Sequence, residues 1–201
     1  MIRLGIDFDN TITNYDGVFS KAALHENMIS KDAPHVYNTK ADVKNYLINT
    51  NKEEKWTELQ GLVYGKYIKF AKPQKNLIQT IKSLSEHDIF LCIVSHRTRF
   101  PYIGEKINLH DAARQWLNDN LFQLIPDQNI YFEETIEDKV KRANTLHLDF
   151  FVDDLPKILL HEKLSQRIKK ILFKPEKSLN NNHLIETQDW SEIEDIVLDR
   201  L

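Results

Sequence analysis

Apolar residues in this chain fall into short, nearly continuous runs, separated by stretches where they recur every three or four positions. The runs predict strands over residues 2–8, 88–94, 129–132, 148–152 and 169–173, and the intervening spacing predicts helices over Asn76–His87, His110–Asn120, Ile136–Leu146 and Leu155–Gln166. A helical turn is expected from Ser191 to Leu201. Alternating strand and helix periods are the mark of an α/β fold. The expectation is a three-layer, Rossmann-like, mostly parallel five-stranded sheet.

Between the first two strands the rhythm breaks. Residues from about Tyr15 to Ala71 hold several helical patterns in place of one crossover helix. Thr39-Lys40-Ala41-Asp42 reads as a capping box opening a helix to about Ile48. Asn51, three positions before Glu54, is the expected cap of the next helix. Along that helix Trp56, Leu59, Val63, Tyr67 and Phe70 form one apolar stripe. Gly61 and Gly65 lie inside it, each at a cost of about 1 kcal/mol relative to Ala, and imply close approach of another group. The expected division is a core of residues 1–14 and 72–201, with 15–71 inserted as a small helical cap.

Composition narrows the classes. The chain has 201 residues, 41 % hydrophobic, 28 % charged, with 5 Gly and 6 Pro, which excludes disordered, collagen-like and low-complexity polypeptides. A lone cysteine, Cys92, cannot form an internal disulfide. No apolar run approaches the roughly 20 residues needed to cross a bilayer, and the first residues lack the apolar stretch of a signal peptide. A cytoplasmic chain with no membrane association is expected. A net charge of −3, and no basic patch with interleaved aromatics, gives no support for nucleic-acid binding.

Two acidic clusters carry the chemistry. Asp7-Phe8-Asp9-Asn10-Thr11 follows an alternating strand, so period two places both carboxylates on one face at its carboxyl end. Phe150-Phe151-Val152 ends abruptly in Asp153-Asp154. Adjacent like charges at the end of a buried strand repel, and the arrangement makes sense around a cation. Ligands of open α/β sheets collect outside the carboxyl ends of the strands, so four carboxylates converge there. An all-oxygen set suits Mg2+ better than zinc, and no zinc-type His or Cys spacing competes. Ser95 ends the strand Phe90–Val94, and Lys139 sits one turn into a helix opened by Thr135-Ile136-Glu137-Asp138, a second capping-box pattern.

Asp7-x-Asp9-x-Thr11, then Ser95, Lys139 and Asp153-Asp154 in that order, resembles the four-motif series of the haloacid dehalogenase-like hydrolases. The resemblance spans roughly residues 1–14 and 76–173. It implies a Mg2+-dependent phosphatase acting on a small phosphorylated metabolite. Asp7 would be the nucleophile that becomes an aspartyl-phosphate, and Asp9 the general acid and base. Thr11 and Ser95 would hold phosphoryl oxygens, and Lys139 would offset negative charge. The metal ligands implied are the Asp7 carboxylate, the Asp9 main-chain carbonyl, and Asp153 with Asp154. Of the last two, Asp153 is favoured as the closer ligand. The interval from Lys139 to Asp153 is short for the family, which makes Lys141 a poor substitute in the lysine role.

Asn10 and His96, beside the motif residues, and Arg97 complete the positions expected to touch substrate. Arg97 lies in the stretch His96–Tyr102, which leads into a long loop before His110, and is suited to bidentate contact with an anion. Tyr64, Lys66 and Tyr67 are candidate cap residues over the substrate. Two other readings of the motifs remain: a phosphomutase on the same scaffold, and a noncatalytic phosphometabolite-binding or regulatory module.

Overall fold

The computed structural model describes residues 1–30, 37–174 and 177–200. Parts of the expected cap (residues 31–36) and the last residue of the expected terminal turn, Leu201, lie outside the described residues. The chain divides into two compact units.

The first unit comprises Met1–Asn14, Pro73–Arg97 and Asn120–Leu201. Its sheet contains β1 (Ile2–Ile6), β4 (Ile89–His96), β5 (Ile130–Glu133), β6 (Phe150–Asp153), β7 (Lys169–Phe173) and β8 (Leu184–Thr187), in the order β5-β4-β1-β6-β7-β8. Every pairing is parallel, from Gly5↔Cys92 to Leu172↔Glu186. Two residues each at Thr13–Asn14 (β2) and Lys72–Pro73 (β3) pair as a separate ribbon. The sheet is thus six-stranded, not five-stranded. β8 escapes sequence reading because Leu184-Ile185-Glu186-Thr187 is a four-residue edge strand with too few apolar positions to stand out.

Helices flank both faces. Cys92, Val94, Phe151 and Leu172 share one cluster with Val140 and Ala143 of α6 (Ile136–Thr145) and with Ile158 and Leu159 of α7 (Pro156–Leu159). The alternate residues face the other way, where Phe173 meets Trp190 at the start of α8 (Trp190–Leu198), with ring centroids 5.8 Å apart. There α8 packs on α4 (Leu77–Ser85). The expected Leu155–Gln166 helix is a single turn. Pro156 starts it at the first helical position, and His161–Ile168 continues as turns. Cys92 lies wholly within this core, and burial pushes its thiol up to about 12.

The second unit comprises Tyr15–Lys72 and Thr98–Asp119. Thr98–Asp119 was expected with the sheet but groups with the inserted segment. The unit contains α1 (Val18–His25), α2 (Lys40–Asn49), α3 (Glu53–Tyr64) and most of α5 (Leu109–Leu121). Thr39 and Asp42 form the expected capping box. At α3 the N-cap position is Lys52, with no side-chain cap hydrogen bond, and not Asn51, which takes a left-handed φ of 57° one residue earlier.

Helix α3 ends at Gly65, so the apolar stripe does not continue as one helical face. Trp56, Leu59, Val63 and Tyr67 are buried, whereas Phe70 is 59 % exposed. Phe19 stacks on Trp56, with Tyr15 and Tyr64 edge-on to it. The glycines of α3 explain the grouping of the two segments. A Cβ on Gly61 would stand 2.6 Å from Pro101 Cβ, and one on Gly65 would stand 2.9 Å from Ile107 Cγ2. The indole of Trp116 donates to Ala71 O (2.9 Å). No helix among the described residues is long and apolar enough to cross a membrane.

Helix propensity alone would make Gly61→Ala stabilising by about 1 kcal/mol. The rigid Pro101 ring reverses the sign, because overpacking costs about 1–3 kcal/mol. Urea denaturation of Gly61→Ala should show a net loss of roughly 1 kcal/mol, and a net gain would contradict the packing described.

Candidate active site

The strand order places β1 between β4 and β6. The carboxyl ends of these three strands therefore open onto one rim, where successive connections depart to opposite sides of β1. β1 itself stops at Ile6, two residues short of the expected strand, so the pleat does not align Asp7 with Asp9. The Asp7 amide continues the ladder by donating to Val152 O (2.9 Å), and then the chain turns. Asn10 takes a left-handed φ of 60°, its amide donates to Thr13 Oγ1 (3.3 Å), and both Ile12 N and Thr13 N donate to Phe8 O. Asparagine tolerates this conformation better than most side chains.

Asp7 is buried, and both of its carboxylate oxygens are held. Ser95 Oγ (2.9 Å) and Lys139 Nζ (2.6 Å) donate to Oδ1, while Thr11 Oγ1 donates to Oδ2 (3.2 Å). Ser95 reaches it as the penultimate residue of β4, inward-facing and 1 % exposed. Lys139 is carried by the first turn of α6, whose start is fixed by the Thr135 hydroxyl accepting from Asp138 N (3.0 Å). Its ammonium also donates to Asp153 Oδ2 (2.6 Å), so it bridges two acids that arise 146 positions apart in the chain. Leu155 N donates to Asp153 Oδ1 (2.9 Å), and Asn10 Nδ2 donates to Asp154 Oδ2 (3.2 Å).

Carboxylate oxygens of Asp7, Asp153 and Asp154 lie within 4.8 Å of one another. The electrostatics follow from three acids sharing one ammonium. Burial depresses the Lys139 pKa, but the charges of Asp153 and Asp7 outweigh it and hold the lysine above its usual range. Burial raises Asp153, Lys139 opposes that shift and Asp7 adds to it, for a net rise. Burial, then Asp7 and Asp153, push Asp154 up to about 8. Such a cluster holds surplus negative charge that a divalent cation would relieve, and an all-oxygen donor set fits Mg2+.

The Asp9 carboxylate is not part of this acidic group. It faces Arg97, whose Nη2 stands 2.7 Å from Asp9 Oδ1. Arg97 is thus committed to a protein carboxylate in this structure. His96, alternating with Ser95 on β4, is exposed, with Nε2 3.2 Å from Glu134 O. Of the residues expected to line the substrate in the second unit, Lys66 Nζ pairs with Glu26 (2.9 Å). Tyr67 Oη lies 2.8 Å from His25 Nδ1 and also donates to Glu26, and Lys40 Nζ donates to Tyr64 Oη (3.0 Å).

Two supporting residues carried no signal in the sequence. Gln74 is buried and donates through Nε2 to Asn10 O (2.8 Å) and Thr13 O (3.2 Å), while its Oε1 accepts from Lys174 Nζ (2.8 Å). The Trp190 indole donates to Thr11 O (3.0 Å). Together they clamp the turn after Asp7 from both sides. Their partners lie far away in sequence, and no local pattern marks them.

The fold is that of solved haloacid dehalogenase-type hydrolases. No family model matches the sequence, and no curated protein matches it. Solved structures do. A haloacid dehalogenase-type hydrolase from Entamoeba histolytica is 15 % identical, with TM-score 0.60, covering 98 % of this chain and 98 % of that one. A Clostridium acetobutylicum protein described as a "predicted phosphatase" is 14 % identical, with TM-score 0.62 and 98 % coverage of both chains. A hydrolase of the same class from Deinococcus radiodurans, solved with bound phosphate and sodium, is 10 % identical, with TM-score 0.59, covering 98 % of this chain and 95 % of that one. At these identities the likeness establishes the fold.

The acidic group gives a stability prediction. A carboxyl raised on folding keeps its proton where the unfolded chain has already released one, so raising the pH favours unfolding. In EDTA, Asp154→Asn should therefore be more stable than the parent, by roughly 1–3 kcal/mol at pH 8. The difference should shrink as pH falls from about 8 toward 4. Thermal melts across that range check it, and a less stable variant at pH 8 would refute the charge-surplus account.

Proposed function

We propose that the chain is a Mg2+-dependent phosphatase of small phosphomonoesters that works through an aspartyl-phosphate on Asp7. The observation that carries the reading is the Lys139 bridge between Asp7 and Asp153, with Ser95 and Thr11 fixing the Asp7 carboxylate. A carboxylate fixed by three donors is oriented for attack, and the buried ammonium offsets its repulsion from an anionic substrate. The phosphate bound to the Deinococcus radiodurans hydrolase lends support from a protein of the same fold.

Asp7 Oδ1 is anchored by two short bonds, so Oδ2, with its longer bond from Thr11, is the oxygen assigned to attack phosphorus. As the new O–P bond forms, the bond to the leaving oxygen breaks, and Asp9 delivers the proton that this oxygen takes up. Asp9 then removes a proton from the water that attacks the aspartyl-phosphate, releasing inorganic phosphate and restoring Asp7. Asp7, Asp153, Asp154 and the Asp9 main-chain carbonyl would hold Mg2+, which supplies positive charge to the phosphoryl oxygens in the transition state. The substrate proposed is a small phosphorylated metabolite, with the second unit in the role of a cap.

Phosphate release from 4-nitrophenyl phosphate should require Mg2+, stop with EDTA, and fall at least about 10³-fold in Asp7→Asn. Full activity of that variant would reject the nucleophile. Dependence on a bisphosphate with little net phosphate release would move the assignment to a phosphomutase.

A further inference from the structure

The Arg97–Asp9 pair joins a buried guanidinium, which the phosphatase reading leaves unused, to the proposed general acid and base. Its place in the fold is fixed at several points. Arg97 directly follows β4, and its amide donates to Glu133 O at the end of β5 (2.8 Å). Its guanidinium lies 5.0 Å from the ring centroid of Phe8, the residue between the two catalytic acids. Phe8 is fully buried and meets Phe132 edge-on at 5.9 Å. The Arg97 side chain is 2 % exposed, against 23 % for that of Asp9. The guanidinium is shut in and already paired with a carboxylate, so turning it toward a substrate anion would break a buried ion pair.

We infer that Arg97 is a positioning residue for Asp9 and not a contact for the substrate: it holds the one oxygen, Oδ1, and so fixes where the carboxyl presents its proton to the leaving group. This rests on the phosphatase reading. The effect of losing the pair should be large, since a misplacement of about 1 Å in a reacting group can cost 10²-fold. The step it serves is cleavage of the bond between phosphorus and the leaving oxygen. The bonding pair passes to that oxygen, and the proton comes from Asp9. A poor leaving group needs that proton, whereas 4-nitrophenolate departs with little help. Loss of the pin should therefore be felt in proportion to the basicity of the leaving group.

The test uses the full chain with Mg2+, phenyl, 4-chlorophenyl and 4-nitrophenyl phosphates, and the variants Arg97→Met, Arg97→Lys and Asp9→Asn. Arg97→Met keeps the side chain's bulk against Phe8. Its kcat/KM should fall about 10- to 100-fold for phenyl phosphate and less than about 5-fold for 4-nitrophenyl phosphate. Inhibition by inorganic phosphate should stay within about threefold of the parent. Arg97→Lys should recover most of the loss. The double variant with Asp9→Asn should be no worse than Asp9→Asn alone, because the two residues act as one unit.

An equal loss across the three esters, or phosphate inhibition weakened tenfold or more, would overturn the inference. So would failure of both Arg97 variants to fold, since the residue would then be a structural support. If the parent releases no phosphate, or Asp7→Asn releases it as well as the parent, the phosphatase reading itself fails, a result these comparisons keep separate.

Discussion

The site depends on one buried cation. Lys139 is 1 % exposed and reaches two aspartates at 2.6 Å each. A lone ammonium could not stay charged at that depth, and two adjacent carboxylates could not both stay ionised there. Each makes the other tolerable. Breaking the arrangement from either side leaves an unpaired charge in the core, so the geometry around Asp7 is imposed by electrostatics as much as by packing. The third acid, Asp154, exceeds what one lysine can balance, and the imbalance is what makes the cluster receptive to a divalent ion.

Around that centre the fold supplies positions more than energy. Parallel pairing sends every strand out at the same rim, so residues 7, 95 and 153 need only terminate neighbouring strands to meet. The turn after β1 is then clamped by Gln74 and Trp190, each using a side-chain N–H on a main-chain carbonyl. Such bonds fix backbone without adding charge beside the acidic group.

Much of this was legible in the sequence. The acids appeared because they interrupt apolar runs, and Lys139 because a capping pattern located its helix start. Five of the six strands of the sheet were visible in the same way. What stayed hidden depends on chain folding back from a distance. Gln74 and Trp190 look like ordinary polar and aromatic residues until the turn they hold is in place. Arg97 follows the same rule: its reach toward an anion is readable from the sequence, but its pairing with Asp9 is not. In the second unit, Gly61 and Gly65 announced a close approach without saying that Pro101 and Ile107 would fill it. Hence nothing in the sequence signals that Thr98–Asp119 packs with the inserted segment.

The bond from the Trp190 indole to Thr11 O joins residues 179 positions apart. During synthesis the strand that leads into Asp7 leaves the ribosome well before the side chain that locks the turn after it. A nascent or truncated chain thus carries every acid and lysine of the site without the brace that steadies them. The turn beside Asp7 is completed only after residue 190 has emerged.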